Sequence, residues 1–108
     1  MKYQVMISDK AEKDLRSTYE YIAFELLSPG NAGKQLTRLE QAIETLEAFP
    51  KRHRSYEIGS WIDREIRVFP GDNYCIFYHC NDEEYTVTII RVMYSGRDIF
   101  KQITEKED

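Results

Sequence analysis

The chain has 108 residues, of which 42% are hydrophobic and 31% charged, enough to bury one core and too few for a second catalytic module. Its apolar runs fall far short of the ~20 residues needed to cross a bilayer. A formal net charge of −4 argues against a protein that coats nucleic acid through bulk electrostatics. One domain over residues 1–108 is expected. Residues 1–7 hold no apolar stretch of signal-peptide length, so the cytoplasm is the expected compartment and no membrane association is expected.

Tyr3, Val5 and Ile7 alternate with Gln4, Met6 and Ser8, the period of a strand. Ser8 and Asp9 then offer N-cap oxygens, and Asp9 with Glu12 has capping-box spacing. Ala11, Leu15, Tyr19, Ile22 and Leu26 follow at steps of three or four, which predicts an amphipathic helix. Ser28-Pro29-Gly30-Asn31 breaks it. A second apolar stripe, Ala32, Leu36, Leu39, Ile43 and Leu46, predicts a second helix ending at Phe49-Pro50. With so short a turn the two helices form an antiparallel hairpin, and both stripes are assigned to core packing.

Beyond the basic and polar stretch Lys51–Ser60 the period changes to two. Ile62, Arg64, Ile66 and Val68 share one strand face, with Asp63, Glu65 and Arg67 on the other. Pro70-Gly71-Asp72-Asn73 is a turn, Tyr74–Cys80 a second strand, and Tyr85–Met93 a third that is apolar on both faces, as for a central strand. Ile99 and Ile103 suggest a short C-terminal helix. The expected class is α+β: an N-terminal strand, an antiparallel helical hairpin, a three-stranded antiparallel meander and a short C-terminal helix.

Cys75 and Cys80, five apart on one strand, point to opposite faces and do not pair with each other. With only His53 and His79 beside them, no metal-ligand spacing exists, and neither a metal nor another cofactor is expected. Nucleotide-binding glycine loops, nucleophile elbows and metalloprotease motifs are missing. The later strands instead gather Arg64, Arg67, Tyr74, Tyr78, Arg91, Tyr94 and Arg97. Guanidinium forks bind phosphate and aromatic rings stack on bases, so the group suits RNA, and equally an acidic protein partner. Metal-free RNA cleavage needs a base, a cation for the phosphorane charge and an acid. Arg67 or Arg97 would supply the cation, and Tyr94 or His79 the proton transfer.

Order and spacing together are similar to those of the RelE/ParE toxin superfamily. The segments that carry the resemblance are Ala11–Leu15, Tyr19–Ile22, Leu46–Pro50, Arg64–Val68, Asn73–Tyr78 and Ile90–Ile99. The resemblance implies the toxin of a type II toxin-antitoxin system, associated with plasmid stabilisation or stress response, that inhibits growth until a cognate antitoxin binds it in a hetero-oligomer. Members of the superfamily act either by inhibiting DNA gyrase, as ParE does, or by cleaving messenger RNA at the ribosome without metal, as RelE does. Cys75 stands where the nucleases carry arginine, which together with the Tyr94-Ser95-Gly96-Arg97-Asp98 ending tilts the chain toward gyrase inhibition. The alternative is an mRNA endoribonuclease using Arg67, Tyr94 and Arg97; a further one is a detoxified binding module. Arg64, Arg67, Arg91, Arg97 and Lys101 are the residues expected to contact the antitoxin or the target.

Overall fold

Strand β1 (Gln4–Ile7) leads into helix α1 (Asp9–Glu20), a widened π turn (Tyr21–Glu25) and helix α2 (Pro29–Glu44). Strands β2 (Ile66–Gly71), β3 (Tyr74–Asn81) and β4 (Thr86–Tyr94) complete the order. The structure is a computed structural model that describes residues 2–57, 59–62 and 64–95, apart from the side chain of Ser60. The expected C-terminal helix, with Arg97 and Lys101, lies outside these residues.

Ser8, rather than Asp9, is the N-cap of α1: its Oγ accepts the Ala11 N–H at 3.1 Å, satisfying one of the donors a helix start leaves open. The same hydroxyl donates to the Ile90 carbonyl at 3.0 Å, tying the helix start to β4. The regular helix is shorter than the apolar stripe predicts, because a π turn takes over at Tyr21. Leu27 then adopts a left-handed φ of 52°, and Pro29 opens α2 at a position where a missing N–H costs nothing.

The sheet order is β1-β4-β3-β2, with β1 parallel to β4 and the other pairs antiparallel. The helical hairpin covers one face. There Ala11, Leu15, Leu39, Ile43 and Leu46 meet Ile76, Tyr78, Val87, Ile89 and Val92 in the main core. Cys80 packs on this side and Cys75 on the other, as their spacing predicts. The opposite face carries a second core, in which Trp61 packs with Ile66, Val68, Phe77 and Met93 under Tyr56. Edge-on contacts of Phe77 with Trp61 (4.9 Å between centroids) and with Tyr56 (5.0 Å) give this small cluster its shape.

Two departures from the expected pattern matter for the site. Strand β2 begins at Ile66, not Ile62, because Glu65 takes a left-handed φ of 55° and the preceding residues turn; Ile62 is exposed. Between Phe77 and Tyr78 the β3–β4 register shifts by one residue of β4: Phe77 lies opposite Arg91 and Tyr78 opposite Ile89. This bulge explains why β4 reads as apolar on both faces: Ile89 and Val92 reach the helix side, Ile90 and Met93 the Trp61 side.

Candidate functional site

Arg67 is paired across the sheet with Tyr78, on the helix side of β2. Its guanidinium does not face open solvent as a lone cation. Nη1 donates to the His53 carbonyl at 2.7 Å and to the Lys51 carbonyl at 3.3 Å. Beside it the Tyr78 hydroxyl, with its pKa pushed up to about 12 chiefly by burial, donates to the Pro50 carbonyl at 2.5 Å. The Arg54 carbonyl accepts the Val68 N–H at 3.1 Å, and the Tyr56 N–H donates to the Ile66 carbonyl at 2.7 Å. Residues 50–56 therefore form a strap along the outer edge of β2, held by its own carbonyls. Lys51, Arg52 and Arg54, which in sequence look like a basic loop, are all carried on it.

The start of the strap is set by Arg52. Its Nη1 donates to the carbonyls of Ala48 (2.6 Å), Phe49 (3.2 Å) and Thr45 (3.3 Å), and Nη2 to Thr45 Oγ1 at 3.0 Å. These carbonyls belong to the 3-10 turn that extends α2 (Thr45–Glu47) and to the two residues after it, so Arg52 caps the C-terminal end of that helical stretch. His53 stacks flat on Phe69 at 4.2 Å. Its Nε2 is buried without a hydrogen-bond partner, and burial, seconded by the Arg52 charge, lowers its pKa. Asp82, in the turn after β3, receives Lys51 Nζ and the Tyr3 hydroxyl (3.0 Å), joining the strap to the β3–β4 turn and the chain start. Both contacts hold the Asp82 carboxyl below its ordinary range.

The remaining predicted residues lie elsewhere. Arg91 is not on an open basic face: it makes a two-pronged ion pair with Asp14 of α1, Nε to Oδ2 at 2.7 Å and Nη2 to Oδ1 at 3.0 Å. Arg64 sits exposed in the turn before β2, its N–H donating to the Trp61 carbonyl at 3.1 Å. Tyr94 closes β4 with its ring edge-on to Tyr74 at 5.6 Å. Tyr94 and Arg67 are two strands across and four residues along from each other, about 16 Å between backbones at ordinary sheet spacings. The two are not brought to one reacting atom. His79 lies on the Trp61 side, with Nδ1 3.4 Å from the Glu65 carbonyl. Cys75, beside that second core, has its thiol pKa raised by burial and supplies no positive charge. Among the described residues no group of three or more acidic, Cys or His side chains is placed to hold a metal, and no helix is long and apolar enough to cross a membrane.

Sequence reasoning missed the partners more than the residues. Asp14, Arg52 and Asp82 form the contacts that fix the site, and nothing in local spacing announces pairs separated by 77 or 31 positions.

The arrangement of strand, helical hairpin and meander recurs in solved structures. The toxin–antitoxin complex RelBE2 from Mycobacterium tuberculosis shares 19% identity, with 87% of this chain and 99% of that chain covered and a TM-score of 0.64. The chromosomal ParDE system of P. aeruginosa matches at 15% identity, 85% and 95% coverage and a TM-score of 0.66. A mutant of the E. coli toxin RelE in the free state matches at 16% identity, 98% and 97% coverage and a TM-score of 0.61. At these identities the likeness establishes the fold. No curated protein matches. The family model for the ParE toxin of the type II toxin-antitoxin system parDE, however, matches residues 5–99, nearly the whole chain, with both helices, β2 to β4 and all but the first residue of β1, so this chain belongs to the ParE toxin family.

Proposed function

We propose that the chain arrests bacterial growth by binding and inhibiting DNA gyrase, without catalysing a reaction, and that a cognate antitoxin masks it. The observation that carries this reading is the engagement of Arg67. A metal-free ribonuclease needs a guanidinium aimed at the phosphorane, whereas this one donates to two backbone carbonyls of the strap. Cys75 offers no substitute charge, and Tyr94 stands two strands away.

In this reading the antitoxin covers the helical hairpin. Tyr21, Phe24, Leu26 and Leu27 stand exposed at its tip, Leu27 at 83%, a cluster of apolar side chains of the kind that marks an interaction site. The M. tuberculosis and P. aeruginosa structures are of toxin-antitoxin systems, which supports such a partner. The sheet face is a poorer candidate than the arginine count suggests, since Arg67 and Arg91 already have partners within the chain.

The test is supercoiling of relaxed plasmid by purified gyrase with increasing amounts of the chain. Inhibition that the antitoxin reverses is expected; undiminished supercoiling at excess chain rejects the reading. New message ends within coding sequence after induction, abolished by Arg97→Ala, would favour ribosome-dependent mRNA cleavage instead. Normal growth on expression without antitoxin would mark a detoxified binding module.

A further inference from the structure

The tip of the helical hairpin carries a charge as well as apolar side chains, and the sign of that charge narrows its partner. The tip has a defined backbone: across the π turn the Leu26 N–H donates to the Tyr21 carbonyl at 3.1 Å, and the Ser28 N–H to the Ile22 carbonyl at 3.1 Å. Turns of this kind inside helices are frequent at functional sites. From this frame Tyr21 projects at 52% exposure, Phe24 at 67%, Leu26 at 55% and Leu27 at 83%. Leu27 does so from a left-handed φ of 52°, a conformation whose usual occupant is glycine.

Between Arg16 and Lys34 the chain has two charged residues, Glu20 and Glu25, and no cation. Both are exposed, and neither joins an ion pair among the described residues. Arg16 is turned to Glu12, one helical turn back along α1, at 3.7 Å. The tip is thus an apolar patch with an acidic rim. Anionic membrane surfaces attract basic amphipathic segments, not acidic ones. A second copy meeting this one tip to tip brings Glu20 and Glu25 against the same two residues of its partner. An acidic protein segment meets the same repulsion. A segment with an apolar stripe edged by Lys or Arg matches both the side chains and the charge.

We infer that the hairpin tip docks an amphipathic antitoxin segment with basic edges, its apolar stripe on Tyr21, Phe24, Leu26 and Leu27 and its cations facing Glu20 and Glu25. The inference rests on the reading that an antitoxin covers the hairpin. It reverses the partner that the sheet arginines suggest in sequence, an acidic one, because Arg67 and Arg91 are held within the chain and the tip has no cation of its own.

The experiment titrates the full chain and two variants, Phe24→Ala and the double substitution Glu20→Lys with Glu25→Lys, with the purified antitoxin encoded beside the toxin gene. All three are expected to melt alike, since the altered side chains are exposed. Phe24→Ala weakens binding about 30-fold, the loss expected when a central aromatic anchor is removed. Charge reversal weakens it about 10-fold in about 50 mM salt, and the gap to the parent closes as salt is raised. Inhibition of gyrase by the chain alone is the same for all three. If the antitoxin binds all three equally, the tip is overturned as its site and the antitoxin reading stands. If the parent binds no antitoxin, the reading and the inference fail together. Charge reversal that tightens binding while Phe24→Ala weakens it overturns the basic partner. Sedimentation showing that the parent dimerises through Phe24, Phe24-dependent capture by phosphatidylglycerol vesicles, or variants that lose gyrase inhibition but keep the antitoxin each overturn the inference.

Discussion

The Asp14 carboxylate holds the Arg91 guanidinium through both oxygens and also accepts the Val92 N–H at 2.9 Å. One side chain of α1 thereby occupies the outer edge of β4 just past Ile89, where β1 stops pairing. Each partner's side chain is 16% exposed, so removing the acid leaves a partly buried cation and an unpaired strand N–H. Asp14→Ala is expected to cost about 2–3 kcal/mol in urea unfolding. Asp14→Asn, which can still accept from Val92, should lose less. Equal losses would show that the Val92 contact adds nothing to the ion pair.

His53 gives the fold an acid sensitivity at mild pH. Burial and the Arg52 charge lower its pKa below the ordinary 6.5, so the unfolded chain takes up the proton first. Its contribution to stability is complete above about pH 6.5 and is lost as pH falls from there through the folded pKa. Thermal melting followed from pH 8 to pH 5 should show the decline, and His53→Phe, which keeps the ring stacked on Phe69, should flatten it. An unchanged slope in that variant would assign the decline to other groups.

Tyr78 and Arg67 hold the strap from neighbouring positions, so their effects should be coupled. Tyr78→Phe removes the bond to the Pro50 carbonyl and is expected to cost about 1–1.5 kcal/mol. Arg67→Ala releases the Lys51 and His53 carbonyls at about 1–2 kcal/mol. In a double-mutant cycle the joint loss should fall short of the sum, because a strap freed at one point has less to lose at the other. Strict additivity would mean that the two bonds act independently.

Phe49, just past the turn that ends α2, is 84% exposed and has a left-handed φ of 49°. Phe49→Gly relieves the left-handed backbone, and the gain of about 1 kcal/mol is set against glycine's greater freedom in the unfolded chain. A small rise in melting temperature is the expected outcome. A clear fall would show that the ring packs in solution.

The elements were legible where side chains repeat. The stripe from Ala11 and the one from Ala32 place both helices, and the alternation through Tyr74–Cys80 places β3, because periodicity reports one buried face. The reading stopped at residues whose backbone obeys a local exception. Glu65 turns left-handed and moves the start of β2 four residues on from Ile62. Trp61, in a stretch with no period at all, builds a second core visible only once the sheet is folded beneath it. For the site, residue type was readable and availability was not. Arg67 and Arg91 look alike in sequence as cations on strands, yet one is bound to carbonyls of a loop and the other to a carboxylate of a helix.

The bulge opposite Phe77 and Tyr78 has an effect at the far end of β4. Before it, odd-numbered residues such as Val87 and Ile89 face the helices; after it, even-numbered ones such as Val92 do. The strand is thus two half-strands out of phase by one residue. If β4 paired smoothly, Tyr94 would leave Tyr74 and come out among the Trp61 cluster on the opposite surface. A one-residue irregularity in the middle of the sheet therefore chooses which side of the molecule displays its last described aromatic ring.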